Sequence, residues 1–317
     1  MMNIYSLFMG VLIVLGTMLT LSSNNWFGAW LGLELNMVAF LAYSLDKMNK
    51  FNVESLINYF LIQSASSMVL MVEFISFSFN FYPAYFFIMP LMLKLGMFPF
   101  HYWVLGLSMN LKIIPCFLML TWQKLSALFL MGNYTNASMY VVVMLSGSGC
   151  LYFSVSNSLV FKILAFSSIF HLSWLVSSLI LNSMLTLFYF MFYSFNLMLI
   201  MLFFSQNMVR HFNLIGIFSF KGLMMNLILS LSLLGLPPFF GFSMKWVFLY
   251  NLYCQDLIFL MILMSFTSLA NIFMYLRLGY FHFVKKLMYS KSVLVKYKVG
   301  YFYSCFILSI FIPFYMI

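Results

Sequence analysis

Five ionisable side chains sit in stretches that are otherwise almost wholly apolar. They are Glu34 in Gly-Leu-Glu-Leu-Asn, Lys94 in Leu-Met-Leu-Lys-Leu-Gly-Met, Lys124 in Thr-Trp-Gln-Lys-Leu-Ser, His171 in Ile-Phe-His-Leu-Ser-Trp and Lys245 in Phe-Ser-Met-Lys-Trp. Near the middle of a membrane-spanning helix, a charged group costs about 2.5–3.5 kcal/mol even on lenient scales. Three lysines and a glutamate together cost roughly 10 kcal/mol if neither paired nor hydrated, comparable to the whole stability of an ordinary domain. Proton handling accounts for that cost. In general, burial favours a neutral amine and a neighbouring carboxylate favours the ammonium, so a lysine beside a movable acid changes protonation. Arginine, permanently charged, is unsuited to this role, and all three mid-segment cations are lysines. Each group also has a structural alternative. Glu34 and Lys94 could form a static pair, Lys124 could rest on a backbone carbonyl, Lys245 could snorkel to the interface, and His171 could be a hydrogen-bonded core histidine. A sixth group, Glu73, lies nearer a helix end and is assigned a structural role.

Helices in lipid are needed to hold such groups. The 317-residue chain is 65% hydrophobic and only 6% charged, with a mean hydropathy of +1.06. A water-facing surface needs roughly 25% charged residues, and disorder needs low hydrophobicity; both are excluded. At about 20 apolar residues per span, the breaks at Pro, Asn, Ser and charge give an all-α membrane protein of eleven transmembrane helices. They cover about 4–21, 26–45, 54–79, 84–105, 113–131, 138–156, 163–181, 184–204, 223–250, 257–280 and 299–317. Connections after even-numbered helices carry Lys47, Lys50, Lys112, Lys162, Arg210, Lys221, Lys285, Lys286, Lys291, Lys296 and Lys298; those after odd-numbered helices carry no Lys or Arg. By the positive-inside rule the N-terminus lies on the inner side and the C-terminus opposite. The net charge of +10 thus reflects topology rather than a nucleic-acid-binding face. No cleavable signal peptide is expected.

Two spans are interrupted. The fourth contains Pro90, Lys94, Pro99 and His101; the ninth contains Pro237, Pro238, Gly241 and Lys245. Proline removes an amide donor and clashes with the preceding turn, and in lipid the freed carbonyls must find another donor. The chain reads as a single membrane domain, 1–317, made of repeat one at about 4–131, repeat two at about 138–280 and a final helix at about 299–317. Each broken helix is then the fourth of its five-helix unit, and Glu34 and His171 both fall on the second. An odd number of helices per unit inverts the second copy in the membrane, as in many ion transporters.

Redox chemistry has no visible seat in the chain. Cys116, Cys150, Cys254 and Cys305 lie far apart and read as buried hydrophobes rather than metal or iron–sulfur ligands. No GxGxxG opens a helix after a strand. The Gly28–Gly32 pair suggests a close helix contact, assigned to assembly with neighbouring subunits. Sequons at Asn133 and Asn136 fall in the connection after helix five, where a glycan would indicate the secretory pathway.

Several of these segments, taken in order, resemble one family. They are Leu-Lys-Leu-Gly-Met-Phe-Pro-Phe-His-Tyr-Trp (93–103), Thr-Trp-Gln-Lys (121–124), Ser-Ser-Ile-Phe-His-Leu-Ser-Trp (167–174) and Leu-Pro-Pro-Phe-Phe-Gly-Phe-Ser-Met-Lys-Trp (236–246), joined by Gly-Leu-Glu-Leu-Asn (32–36). From about residue 20 to 250 the chain resembles chain 2 of NADH–ubiquinone oxidoreductase, the antiporter-like membrane subunits of mitochondrial respiratory complex I. Its 29 Met, 41 Phe and thirteen Lys against two Arg resemble the product of an AT-rich mitochondrial gene. The resemblance implies that Glu34 and Lys94 form a coupling ion pair, Lys124 is the central lysine, His171 a relay and Lys245 the exit-side lysine. It implies a non-redox part of a proton-translocating enzyme, with flavin, iron–sulfur clusters and ubiquinone in partner subunits and none in this chain. It also implies other complex I membrane subunits, including neighbouring antiporter-like ones, and membrane lipids as partners. The location implied is the mitochondrial inner membrane, with the N-terminus in the matrix and the C-terminus in the intermembrane space. Glu73 departs from the family pattern, and the stretch after residue 280 matches none of it. The alternative reading is a cation/proton antiporter outside the respiratory chain, and a third is a scaffold with static buried charges.

Overall fold

The computed structural model describes residues 4–45, 50–78, 87–133, 138–154, 160–206, 228–236, 239–269 and 271–272. The elements are α1 (Ile4–Ser22), α2 (Trp26–Ser44), α3 (Lys50–Ser78), α4 (Ile88–Leu95), α5 (Tyr102–Asn110), α6 (Ile113–Leu120), α7 (Trp122–Gly132), α8 (Ser138–Ser154), α9 (Val160–Leu181) and α10 (Ser183–Gln206). Then come α11 (228–234), α12 (Phe240–Cys254) and α13 (Ile258–Leu269). Among the described residues every regular element is helical. Ile4–Ser22, Val53–Ser76, Ile113–Gly132, Val160–Leu181 and Ser183–Phe204 are each long and apolar enough to cross a membrane. The eleventh expected span, the connection at 281–298, Pro237, Pro238 and most of 205–222 lie outside the described residues.

The chain divides into two compact units, one of Met1–Cys150 with Ser168–Ile180 and one of Leu151–Ser167 with Leu181–Ile317. In the first, α2 packs on α1, α3, α6 and α7, α3 packs on α4 and α5, and α4 packs on α7. In the second, α10 packs on α12.

The α1–α2 contact depends on small residues. A Cβ on Gly32 would lie 2.6 Å from Thr20 Cγ2 and 2.8 Å from Gly16 O, and one on Gly16 would lie 2.9 Å from Asn36 N. Such close backbone approach is what small residues permit between helices in lipid. Gly32 therefore serves an internal contact rather than one with a neighbouring subunit, while Gly28 faces Ser23. Gly32→Ala is expected to lower the thermal stability of the protein by about 1–3 kcal/mol, the usual range for overpacking. Gly10→Ala, whose Cβ would meet nothing within 4 Å, is the comparison that should not fall.

Three local expectations need correction. The fifth span is not one continuous helix: α6 stops at Leu120 and α7 begins at Trp122, with Thr121 at φ −119°, ψ −77°. Thr121 Oγ1 donates to Phe117 O at 2.7 Å, a back-bond that tends to bend helices. Lys162 falls in the first turn of α9 instead of the preceding connection. Cys116 is buried as expected, but Cys254 is exposed, because it ends α12.

Candidate functional site

Both interrupted helices end in the same way. Gly96 adopts φ +66° and Gly235 φ +70°, the left-handed conformation that ends a helix at little cost only for glycine. At the first break Gly96 N donates to Leu93 O and Met97 N to Met92 O; at the second Gly235 N donates to Ser232 O and Leu236 N to Leu231 O. These are paired Schellman closures. Proline signalled the breaks in the sequence, but the left-handed glycine sets where each helix stops. A glycine two or three residues ahead of a proline was the available signal.

Carbonyls freed at a break cannot turn to water inside lipid, and here side chains meet them. At the first break Trp103 Nε1 donates to Leu93 O at 3.2 Å, and Gln63 Nε2 donates from α3 to Lys94 O at 3.2 Å. At the second, Lys245 Nζ donates to Leu234 O at 2.6 Å. Lys245 is 7% exposed, so it is buried at the break and does not snorkel. His101, 1% exposed, closes the first break: its Nδ1 lies 3.0 Å from Pro99 O and its ring stacks on Phe98 and Tyr102.

Lys94 closes α4 and is buried. Glu34, on α2, is half-buried and acts electrostatically on Lys94 and on buried Tyr59. Its Oε1 is buried without a hydrogen-bond partner. Lys124, in the first turn of α7 and 4% exposed, donates to Ser168 O at 3.3 Å. Ser168 and His171 are three apart on α9 and share a helix face. Lys124 therefore rests on a carbonyl one turn from His171, which is itself buried. The carbonyl contact is the one foreseen in the structural alternative; its position beside His171 is additional.

Sequence reading missed the amides around these groups. Gln123 Nε2 donates to Asn36 Oδ1 at 2.9 Å, joining α7 to α2. Asn36, Tyr59, Gln63, Lys94, Gln123 and Ser126 help to line a cavity of about 20 Å³, measured as the space open to the centre of a water molecule. A buried amide is costly only where it lacks a hydrogen-bond partner, and the sequence does not show that Gln63 and Asn36 find theirs at Lys94 O and Gln123. Glu73 is half-buried, and its Oε2 is buried without a hydrogen-bond partner. Among the described residues no cluster of His, Cys, Asp and Glu could hold a metal.

The family described as "NADH:quinone oxidoreductase/Mrp antiporter, TM" matches residues 73–270. NADH-ubiquinone oxidoreductase chain 2 of Anopheles gambiae is 32% identical over 300 residues, 89% of this chain and 86% of that one. Among solved structures, a chain of respiratory complex I from Thermus thermophilus with bound aureothin has a TM-score of 0.79 at 17% identity, covering 98% of this chain and 78% of that chain. A chain of the Mrp complex from Dietzia sp. has a TM-score of 0.72 at 13% identity, covering 91% of this chain and 60% of that chain. At those identities the structural likeness concerns the fold alone.

Proposed function

We propose a role for a chain that belongs to the NADH:quinone oxidoreductase/Mrp antiporter transmembrane family, and within it to NADH-ubiquinone oxidoreductase chain 2. It is the proton-translocating, non-redox part of the respiratory complex, driven by electron transfer in partner subunits. Glu34 and Lys94 form the coupling ion pair, Lys124 is the central lysine, His171 is a relay and Lys245 is the exit-side lysine. In the assembled complex the flavin, iron–sulfur clusters and ubiquinone belong to the partners. The protein lies in the mitochondrial inner membrane, its N-terminus in the matrix and its C-terminus in the intermembrane space, as the distribution of loop lysines suggests.

The observation that carries this reading is the burial of Lys124 with its head on Ser168 O, one turn from His171. An ammonium used only to satisfy that carbonyl would be an expensive choice, since charge in lipid costs about 2.5–3.5 kcal/mol and a neutral donor would serve. A lysine is the side chain that can satisfy the carbonyl and also give up a proton. The second reading, a cation/proton antiporter outside the respiratory chain, draws on the likeness to the Mrp chain. Purification in mild detergent separates the two. Comigration of the chain with flavin and iron–sulfur absorbance is expected; a small flavin-free assembly would favour the antiporter.

A further inference from the structure

The side chains between Lys94 and α7 carry an inference that rests on the relay reading above. Cavities that hold a water need about 10–15 Å³ of space open to its centre and two to four polar partners. The cavity beside Lys94 offers about 20 Å³, walled by Asn36, Tyr59, Gln63, Lys94, Gln123 and Ser126. Four of these walls are tied in place. Gln63 donates to Lys94 O, which spends one of its amide protons on the helix break. Gln123 donates to Asn36 Oδ1. Asn36 is itself held where α2 meets α1, its backbone N being among the atoms that crowd Gly16. Lys94 is fixed by the closure of α4. Asn36, Gln63, Lys94 and Ser126 are each under a tenth exposed. One donor of the Gln123 amide is used on Asn36; its second N–H and its carbonyl stay available to the cavity.

We propose that this cavity is a single-water site on the path out of Lys94, and that Gln123, clamped by Asn36, is the positioning residue that orients the water. The Lys94 ammonium gives one proton to the water as the water passes one of its own onward, with the neutral amine of Lys124, on the same helix as Gln123, as the basic group beyond. One proton moves, the water is regenerated and no electron changes hands. The Asn36–Gln123 bridge joins the helix of Glu34 to the helix of Lys124. The water is therefore held by two elements that each carry a member of the relay.

The test uses the whole complex in sealed vesicles, reading protons translocated per NADH oxidised at equal amounts of assembled complex. Gln123→Met, similar in volume but without amide groups, is expected to lower that ratio about fivefold or more. Gln123→Glu, which when protonated keeps a donor and an acceptor in the same place, is expected to restore it to within about twofold of the native value. A bridge that only braced two helices would change the yield of complex and leave the ratio alone in both variants, and that result overturns the proposal. Lys124→Met, measured beside them, keeps the two readings apart. If it lowers the ratio while Gln123→Met does not, only the water site fails; if neither lowers it, the relay fails as well. A map of the native complex with waters resolved should show one water among Lys94, Gln123 and Ser126, and a dry cavity there would equally overturn the proposal.

Discussion

Lys124→Met is expected to cut the rate of proton translocation at least tenfold in the assembled complex, without lowering the amount of complex that assembles. The expectation combines two opposing terms. Methionine matches the lysine stem in length and packs in the same apolar surroundings, a swap that costs little in a core. It removes the hydrogen bond to Ser168 O, worth about 1.5–3 kcal/mol for a charged donor, and also the penalty of about 2.5–3.5 kcal/mol for charge in lipid. The net effect on the fold is close to neutral, so a loss of translocation must come from the missing proton carrier. A positioned acid–base group typically contributes about 10²–10⁴-fold to a proton transfer, which makes tenfold a conservative floor. Lys124→Arg sharpens the reading: it keeps a charged donor for Ser168 O, so a purely structural role would survive, but it cannot release a proton. Translocation should fail in both variants. Native translocation by either one, followed with a pH indicator inside vesicles, would remove Lys124 from the relay.

Charge in an apolar sequence is easily read, and for that reason Lys94, Lys124, His171 and Lys245 could be picked out before any fold was known. All four prove buried. The prolines pointed to interruptions because a missing amide donor leaves few other outcomes within a span, and the left-handed Gly96 and Gly235 are where the helices stop. What stayed hidden has a common physical cause: groups that are neutral, or that act through the backbone, leave little trace in composition. Thr121 divides a span that reads as continuous, since a threonine is ordinary in a helix until its hydroxyl turns back to Phe117 O. Gln63, Asn36 and Gln123 are unremarkable amides in one dimension, and only packing brings them to Lys94 and to each other. Glu34 shows the opposite case. Its charge was legible, yet sequence order could not say that its Oε1 would be buried without a hydrogen-bond partner. The pattern of i and i+3 residues on α9 was available throughout, but Ser168 acquires meaning only when Lys124 is found against its carbonyl.

Gly241→Val at the second break is expected to abolish accumulation of the assembled complex, the largest effect on stability foreseen for any single substitution in the described residues. A Cβ at Gly241 would overlap Ser232 O and lie 2.9 Å from Gly235 Cα. Both obstacles are backbone, so no side-chain rotamer can relieve the overlap. The facing position is equally tight: a Cβ at Gly235 would lie 2.7 Å from Gly241 O and 3.1 Å from Lys245 Cδ, and Gly235 must keep its left-handed φ of +70° to close α11. Separating the two strands of chain is therefore the one way to admit a side chain. That movement would withdraw the Leu234 carbonyl from Lys245 Nζ, now 2.6 Å away, leaving a buried carbonyl and a buried ammonium without each other. Losing a hydrogen bond from a charged donor typically costs about 1.5–3 kcal/mol, on top of the overlap itself. Gly106→Ala, where a Cβ would meet nothing within 4 Å, should leave the complex at native level on a native gel, since alanine favours a helix over glycine by about 1 kcal/mol. Gly241→Ala falls between the two, and any complex it does form should translocate protons poorly, because the same displacement that admits the methyl group moves Lys245. Wild-type accumulation of the valine variant would show that the close approach of Gly235 and Gly241 does not hold the break together.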